Sequence, residues 1–123
     1  MIEELKAELA EHKIAYLNTD KGIKFKGEAD FDIDIFAAGS ELIMLLGEAH
    51  HHCDNVAEVL EILSYVIEGN LKIINKLRGN TVVGTQIQLI DSAGTIKVLE
   101  HSGLLISPFW KEKSFEEKYF KKN

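Results

Sequence analysis

The run Glu48-Ala49-His50-His51-His52-Cys53-Asp54 gathers more potential metal ligands than any other stretch of the chain. Imidazole, thiolate and carboxylate are the usual protein ligands of zinc and related divalent ions. Glu48 and His51 also stand in the E-x-x-H spacing of helical carboxylate sites, although such sites need a second copy of that motif and further glutamates. What the run can do depends on the backbone that carries it. On a helix, successive residues point roughly 100° apart, so His50, His51 and His52 diverge. Cys53 then falls with Leu42, Leu46 and Ala49 in an apolar stripe, His50 and His52 flank that stripe, and His51 faces solvent. On this reading Cys53 is a small buried thiol with two histidines at the core margin. The rival is a metal site of His50, His52 and Cys53, completed by a distant group such as His101 or Asp54, in a metal-dependent enzyme or metal sensor. A reactive thiol is a third use, because a helix start near Cys53 lowers a thiol pKa, but deep burial would leave it inert.

Two other constellations carry chemistry. Asp30, Asp32, Asp34 and Glu41 match positions 1, 3, 5 and 12 of a calcium-binding loop. Ile35 stands where that loop needs glycine, and the intervening Phe31 and Ile33 make a strand with a solvated carboxylate face the better reading. The segment Ser107-Pro108-Phe109-Trp110-Lys111-Glu112-Lys113 sets Phe109 and Trp110 beside Lys111 and Lys113. Aromatic faces next to cations hold nucleobases and phosphates, so these four residues are the candidate contact for a nucleotide or single strand, with a core or subunit-interface role as the structural alternative. No G-x-S-x-G, Walker loop, G-x-G-x-x-G or H-E-x-x-H motif occurs. His101, Ser102 and Asp91 can be named as a triad, but no spacing argues for one.

The elements expected to position these groups are organised around Asp54 to Arg78. At 100° per residue its apolar positions fill an arc of about 180°, wider than one core contact needs. It is read as one long helix, with Val59, Leu63, Val66, Asn70, Ile73 and Leu77 as a self-association face. Asn70 either fixes the register of that seam or marks a kink at Gly69. Asn55 and Glu58 form its capping box, and Gly79 its C-cap. Before it, residues 2 to 12 read as a short helix stopping near His12. Residues 13 to 26 read as a hairpin, and the alternation Ala29, Phe31, Ile33, Ile35 against Asp30, Asp32, Asp34 as a half-buried strand. Residues 41 to 53 read as a second helix. After it come three strands, over 81–90, 95–99 and 104–106, and a C-terminal helix capped by Ser114 and Glu117, with Phe115 and Tyr119 at i and i+4. The order αβββααβββα predicts an α+β fold, an antiparallel sheet of two three-stranded meanders packed on a central helical hairpin, in one domain over 1–123.

The 123 residues are enough for a core without staples, and 46% apolar against 28% charged is the composition of a globular chain. A net charge of −6 sets an overall field that repels duplex nucleic acid and anionic membranes unless a local patch overrides it. The lone Cys53 excludes an internal disulfide. The acidic, amphipathic start is unlike a signal or transit peptide, and no run is long enough to span a bilayer as a helix. These features predict a small, soluble, cytoplasmic, non-enzymatic interaction protein without cofactor, of the kind found as accessory proteins of phages and mobile elements. It is expected to form a homodimer through its long helix and to bind a protein or small molecule, but neither duplex nucleic acid nor membrane. The metal-dependent and nucleotide-binding readings are its alternatives.

Overall fold

The computed structural model describes residues 1–27, 30–47, 49–67, 71–90, 93–103 and 111–120, for 100–103 the backbone alone. The fold is mainly β. A helix α1 (Ile2–Glu11) precedes strands β1 (Leu17–Asn18), β2 (Gly22–Phe25), β3 (Ile33–Ala38), β4 (Glu41–Leu46) and β5 (Ala49–Cys53). A helix α2 (Val56–Ile67) follows, then β6 (Leu71–Arg78), β7 (Thr81–Ile90), β8 (Ile96–Gly103) and β9 (Lys113–Phe120). The first five strands form an antiparallel meander in the order β1-β2-β3-β4-β5, and the rest a second antiparallel sheet in the order β8-β7-β6-β9. Among the described residues no helix is long and apolar enough to cross a membrane.

This overturns the expected helical hairpin packed on two three-stranded meanders, at three places. Residues 41–53 are not a helix but the β4–β5 hairpin, in register Leu46↔Ala49 to Leu42↔Cys53. Leu42, Met44 and Leu46 point into the core, and Gly47 turns the chain at φ +66°. The stretch Asp54–Arg78 is not one helix: α2 ends at Ile67 and the chain becomes strand β6 at Leu71. The C-terminal Ser114–Phe120 is strand β9, paired with β6 from Leu71↔Phe120 to Arg78↔Lys113. Gly79 is correspondingly no helix cap. With φ +61° it occupies the first central place of the two-residue turn between Arg78 and Thr81, where a Gly-X hairpin turn requires it. Gly39, also at φ +61°, does the same between Ala38 and Glu41.

Other expectations hold. Helix α1 stops at the His12 cap, residues 17–25 pair as a hairpin in register Leu17↔Lys24, and a strand covers 81–90, whereas the strand expected over 95–99 runs on from Ile96 to Gly103. The capping box at α2 is made: the Glu58 N–H donates to Asn55 Oδ1 at 2.9 Å, and Glu58 Oε2 accepts from the Asp54 N–H at 3.0 Å. The third expected strand, 104–106, lies outside the described residues, as do Gly69 and Asn70.

One core runs through both sheets. The inner face of the first supplies rows such as Ile23–Ile35–Met44 and Phe25–Ile33–Leu46–Ala49, and α1 adds Leu5 and Leu9. The second sheet adds Leu71, Ile73, Ile87, Leu89 and Phe120. Between them α2 buries Val56, Val59, Ile62, Leu63 and Val66, touching β4 and β5 on one side and β7 on the other. Phe31 and Phe120 close the seam with ring centroids 5.8 Å apart. Beside them Asp30 Oδ2 accepts the Tyr119 N–H at 2.8 Å, tying the loop before β3 to β9.

Close strand approach makes one residue type obligatory at Gly22. A Cβ there would run into the carbonyl oxygen of Ile35 on the neighbouring strand. Gly22→Ala is therefore expected to destabilise the fold by about 1–3 kcal/mol, the usual cost of forcing extra volume into a packed site. A shift of the urea midpoint reads this out, and an unchanged midpoint would show that the strands give way freely.

Candidate functional site

Strand geometry redistributes the histidine cluster. Successive side chains of β5 alternate between faces, so Ala49, His51 and Cys53 share the inner face and His50 and His52 the outer. The His50 and His52 rings stand edge to face at 5.4 Å. His52 Nδ1 lies 2.9 Å from Glu41 Oε1. Cys53 is fully buried on the other side, beneath Leu42. The structure thus brings His50 and His52 together, adds Glu41, and keeps Cys53 away from them. Among the described residues, no three His, Cys, Asp or Glu side chains are grouped to hold a metal ion. Burial pushes the Cys53 thiol up to about 12, with help from the nearby carboxylates of Glu58, Asp54 and Glu41. A neutral, enclosed thiol is a packing group rather than a nucleophile.

The aspartates go separate ways. Asp30 takes the Tyr119 N–H, Asp34 pairs with Lys24 at 3.8 Å, and Asp32 accepts from the Gly27 N–H at 2.9 Å and from Lys26 at 3.2 Å. The Gly27 bond, with Lys26 and Lys24 nearby, holds the Asp32 carboxyl below the ordinary aspartate range against partial desolvation. These residues staple loops and a sheet face.

Four of the six residues expected as a self-association face are used inside the chain. Val59, Leu63, Val66 and Ile73 are buried in the core, Leu77 is half-buried, and Asn70 lies outside the described residues. The buried asparagine of the structure is Asn75 on β6. Its amide donates to Glu116 of β9 at 3.2 Å and its carbonyl oxygen accepts from Thr85 of β7 at 3.1 Å. This polar row crosses three strands in register and ends the apolar inner face begun by Leu71 and Ile73.

The outer face of the second sheet is the surface that sequence reasoning missed. Strand β6 sends Lys72, Ile74, Lys76 and Arg78 outward. Register places Gln88, Gln86 and Gly84 of β7 beside the first three of these, and Tyr119, Glu117, Phe115 and Lys113 of β9 beside all four. Phe115 and Tyr119 are 60% and 44% exposed, large values for aromatic rings on a strand. Each carries a lysine over its face: Lys113 Nζ is 5.2 Å from the Phe115 centroid, and Lys72 Nζ is 5.7 Å from that of Tyr119. A hollow of about 120 Å³ lies beside Phe115, lined by Ile74, Lys76, Gly84, Thr85, Gln86 and Phe115. Towards β8 the face continues through Gln88 and Ile90 to Val98 and Ile96, both exposed.

The charges on this face run against those of the chain. Glu117 is the one carboxylate among the outward positions of β6, β7 and β9. It bonds Lys72 at 2.9 Å and accepts the Tyr119 hydroxyl at 3.1 Å. The Lys72 bond, then the Tyr119 bond, hold Glu117 below its ordinary range, and the same carboxylate raises Lys72. Arg78 and Lys113 are direct cross-strand partners, a like-charge pairing that costs stability. Arg78 donates to the Lys111 carbonyl at 3.5 Å. Lys76 and Lys113 have no carboxylate within ion-pair distance among the described residues.

Of the aromatic and basic residues singled out in the sequence, Phe109 and Trp110 lie outside the described residues, and Lys111 and Lys113 are exposed. Lys113 belongs to the new face. Phe115 and Tyr119 were visible as a pair at i and i+4, a signal assigned to a helix. Comparison of the chain with protein-family models, with curated proteins and with solved structures finds no match.

Two outcomes follow from the buried and bonded groups. Cys53 is expected to resist a thiol reagent such as dithiobis-nitrobenzoate in the native state and to react along the unfolding transition. Rapid native labelling would contradict its burial. Because the folded-state pKa of Asp32 is depressed, its stabilisation is present above the unfolded-state value and lost as pH falls through the folded-state one. Asp32→Asn should therefore lower the urea midpoint at pH 7, and the gap to the wild type should close at acid pH. A gap unchanged with pH would assign the loss to something other than the carboxylate charge.

Proposed function

We propose that the protein is a non-enzymatic binding module whose recognition surface is the open outer face of the four-stranded sheet, and that its ligand combines negative charge with a planar ring. The carrying observation is the pair of exposed rings, Phe115 and Tyr119, each capped by a lysine, on a face where Lys76, Arg78 and Lys113 outnumber the carboxylates. Rings exposed to water forgo the burial that aromatic side chains normally obtain, and the Arg78–Lys113 pairing forgoes charge balance. An anionic, ring-bearing ligand relieves both. Apolar Ile74, the Gln86 amide and the Lys76 ammonium around the hollow supply a surface for a ring, a hydrogen-bonding group for its edge and a cation for its charge.

The test is an amide NMR titration with adenosine monophosphate, with inorganic phosphate as a separate probe. Adenosine monophosphate at millimolar concentration is expected to shift the amides of Lys72, Ile74, Lys76, Gln86 and Phe115, and phosphate alone to shift mainly the segment around Arg78 and Lys113. Lys76→Glu should remove most of the response while leaving the rest of the spectrum in place. Shifts confined to the five-stranded sheet, or no shifts with either probe, would sink this reading.

A further inference from the structure

We infer that the occupant of this face is a single-stranded nucleic acid lying along β9 and β6, with Phe115 and Tyr119 as two successive stacking platforms. This rests on the binding face proposed above and deepens it. Phe115 and Tyr119 are four residues apart on one strand and share its outer face, so their rings are about 13 Å apart at roughly 3.3 Å per residue. Stacked bases are only about 3.4 Å apart, so one nucleotide cannot occupy both platforms, whereas a strand several nucleotides long can.

The cations follow the same line. Lys113 and Arg78 stand at one end of the pairing, Lys76 beside Phe115, and Lys72 beside Tyr119 at the other end, a row that tracks a phosphate backbone rather than one compact anion. Paired bases in a duplex present their edges, not their faces, and the chain's −6 net charge disfavours a stiff polyanion approaching over a wide area. An unpaired strand can follow the narrow basic row and turn its bases onto the rings, a mode that is tolerant of sequence because every base has a π face. An acidic peptide would use the cations but leave the two rings and the hollow unused.

Glu117 is the built-in opponent. It lies between the two rings along β9 and holds both Lys72 and the Tyr119 hydroxyl. A phosphate arriving at Lys72 has to displace it. Neutralising Glu117 should therefore strengthen binding, an effect that a misfolded variant cannot mimic.

The experiment is fluorescence anisotropy on the full chain, using a labelled mixed-sequence DNA oligonucleotide a dozen nucleotides long, its RNA counterpart, the DNA duplex of the same sequence, and labelled polyglutamate. At least one of the two single strands is expected to bind about tenfold or more tighter than the duplex or polyglutamate, and the tighter of the two identifies the preferred sugar. Phe115→Ala and Tyr119→Ala, both at exposed positions, should each weaken that binding about fivefold or more. Glu117→Gln should tighten it. Affinity should fall with salt at a log–log slope of about −2 to −3, as expected for three or four phosphates neutralised on a single strand. Duplex or polyglutamate binding as tightly as the single strands would overturn the inference, as would alanine variants that bind unchanged. If the oligonucleotides bind no tighter than adenosine monophosphate while that probe still shifts the face, the inference fails and the binding face stands. If neither binds, the binding face fails as well.

Discussion

The fold depends on one helix serving two sheets. Val56, Val59, Ile62, Leu63 and Val66 are all buried, against β4 and β5 of one sheet and β7 of the other. Burying a side chain of this size contributes about 1.5–3 kcal/mol, and the one buried cluster draws on the inner faces of both sheets. Each sheet thus gives its inner face to the shared core. The outer faces lie outside that core and differ in what they carry. The first sheet's outer face sets Lys24 against Asp34 and the His52 ring against Glu41. On the second sheet's outer face Phe115 and Tyr119 stay exposed, and among the described residues Lys76 and Lys113 have no carboxylate within ion-pair distance.

How much of this was legible in the sequence depends on how the two periodicities coincide. Residues i and i+4 share a face both on a helix and on a strand, so Phe115 and Tyr119 satisfied either. With Ser114 and Glu117 in capping-box spacing, helix was the natural reading. Pairing with β6 along its whole length decides for strand, a long-range interaction that no local window contains. The same ambiguity governs residues 41–46, a continuous apolar run that suits a buried helix or a strand equally. Its resolving signal was Gly47, two residues before the next inward position, at the place where a two-residue hairpin turn wants a left-handed residue. In Asp54–Arg78 the wide apolar arc was itself the warning. An arc of about 180° is too broad for one helix face, and it arose from projecting a helix and a strand on one wheel. Leu71, Ile73, Asn75 and Leu77 against Lys72, Ile74, Lys76 and Arg78 is a period of two. By contrast α1, the α2 capping box and the hairpins over 17–25 and 81–99 were legible because their signals are local.

The misread elements hid this outer face. On a helical wheel the cations of β6 and β9 scatter among acidic neighbours, and the total of −6 describes the whole. On strands the alternation sorts those of β6, which turns Lys72, Lys76 and Arg78 one way and Leu71 and Ile73 the other, while β9 turns Lys113, Phe115, Glu117 and Tyr119 outward and Ser114, Glu116, Lys118 and Phe120 inward. The phase of β6 thus sets a basic row within an acidic sequence. The histidine run shows the reverse effect. Three adjacent potential ligands look concentrated in the sequence, and the same alternation splits them, His50 and His52 outward and His51 inward with Cys53.

Net charge and local charge act over different ranges, and this governs how such a face works. At physiological ionic strength charges are screened over about 8 Å, so a ligand touching the sheet responds to Lys72, Lys76, Arg78, Lys113 and Glu117 and only weakly to carboxylates elsewhere. At longer range, and at low salt, the net charge of −6 acts on an anion as a whole. Within that row the Arg78–Lys113 pairing and the Lys72–Glu117 bond have opposite roles. The first sets two cations side by side, and the second joins a cation to a carboxylate. The geometry of two strands, fixed by burial on their other side, sets both.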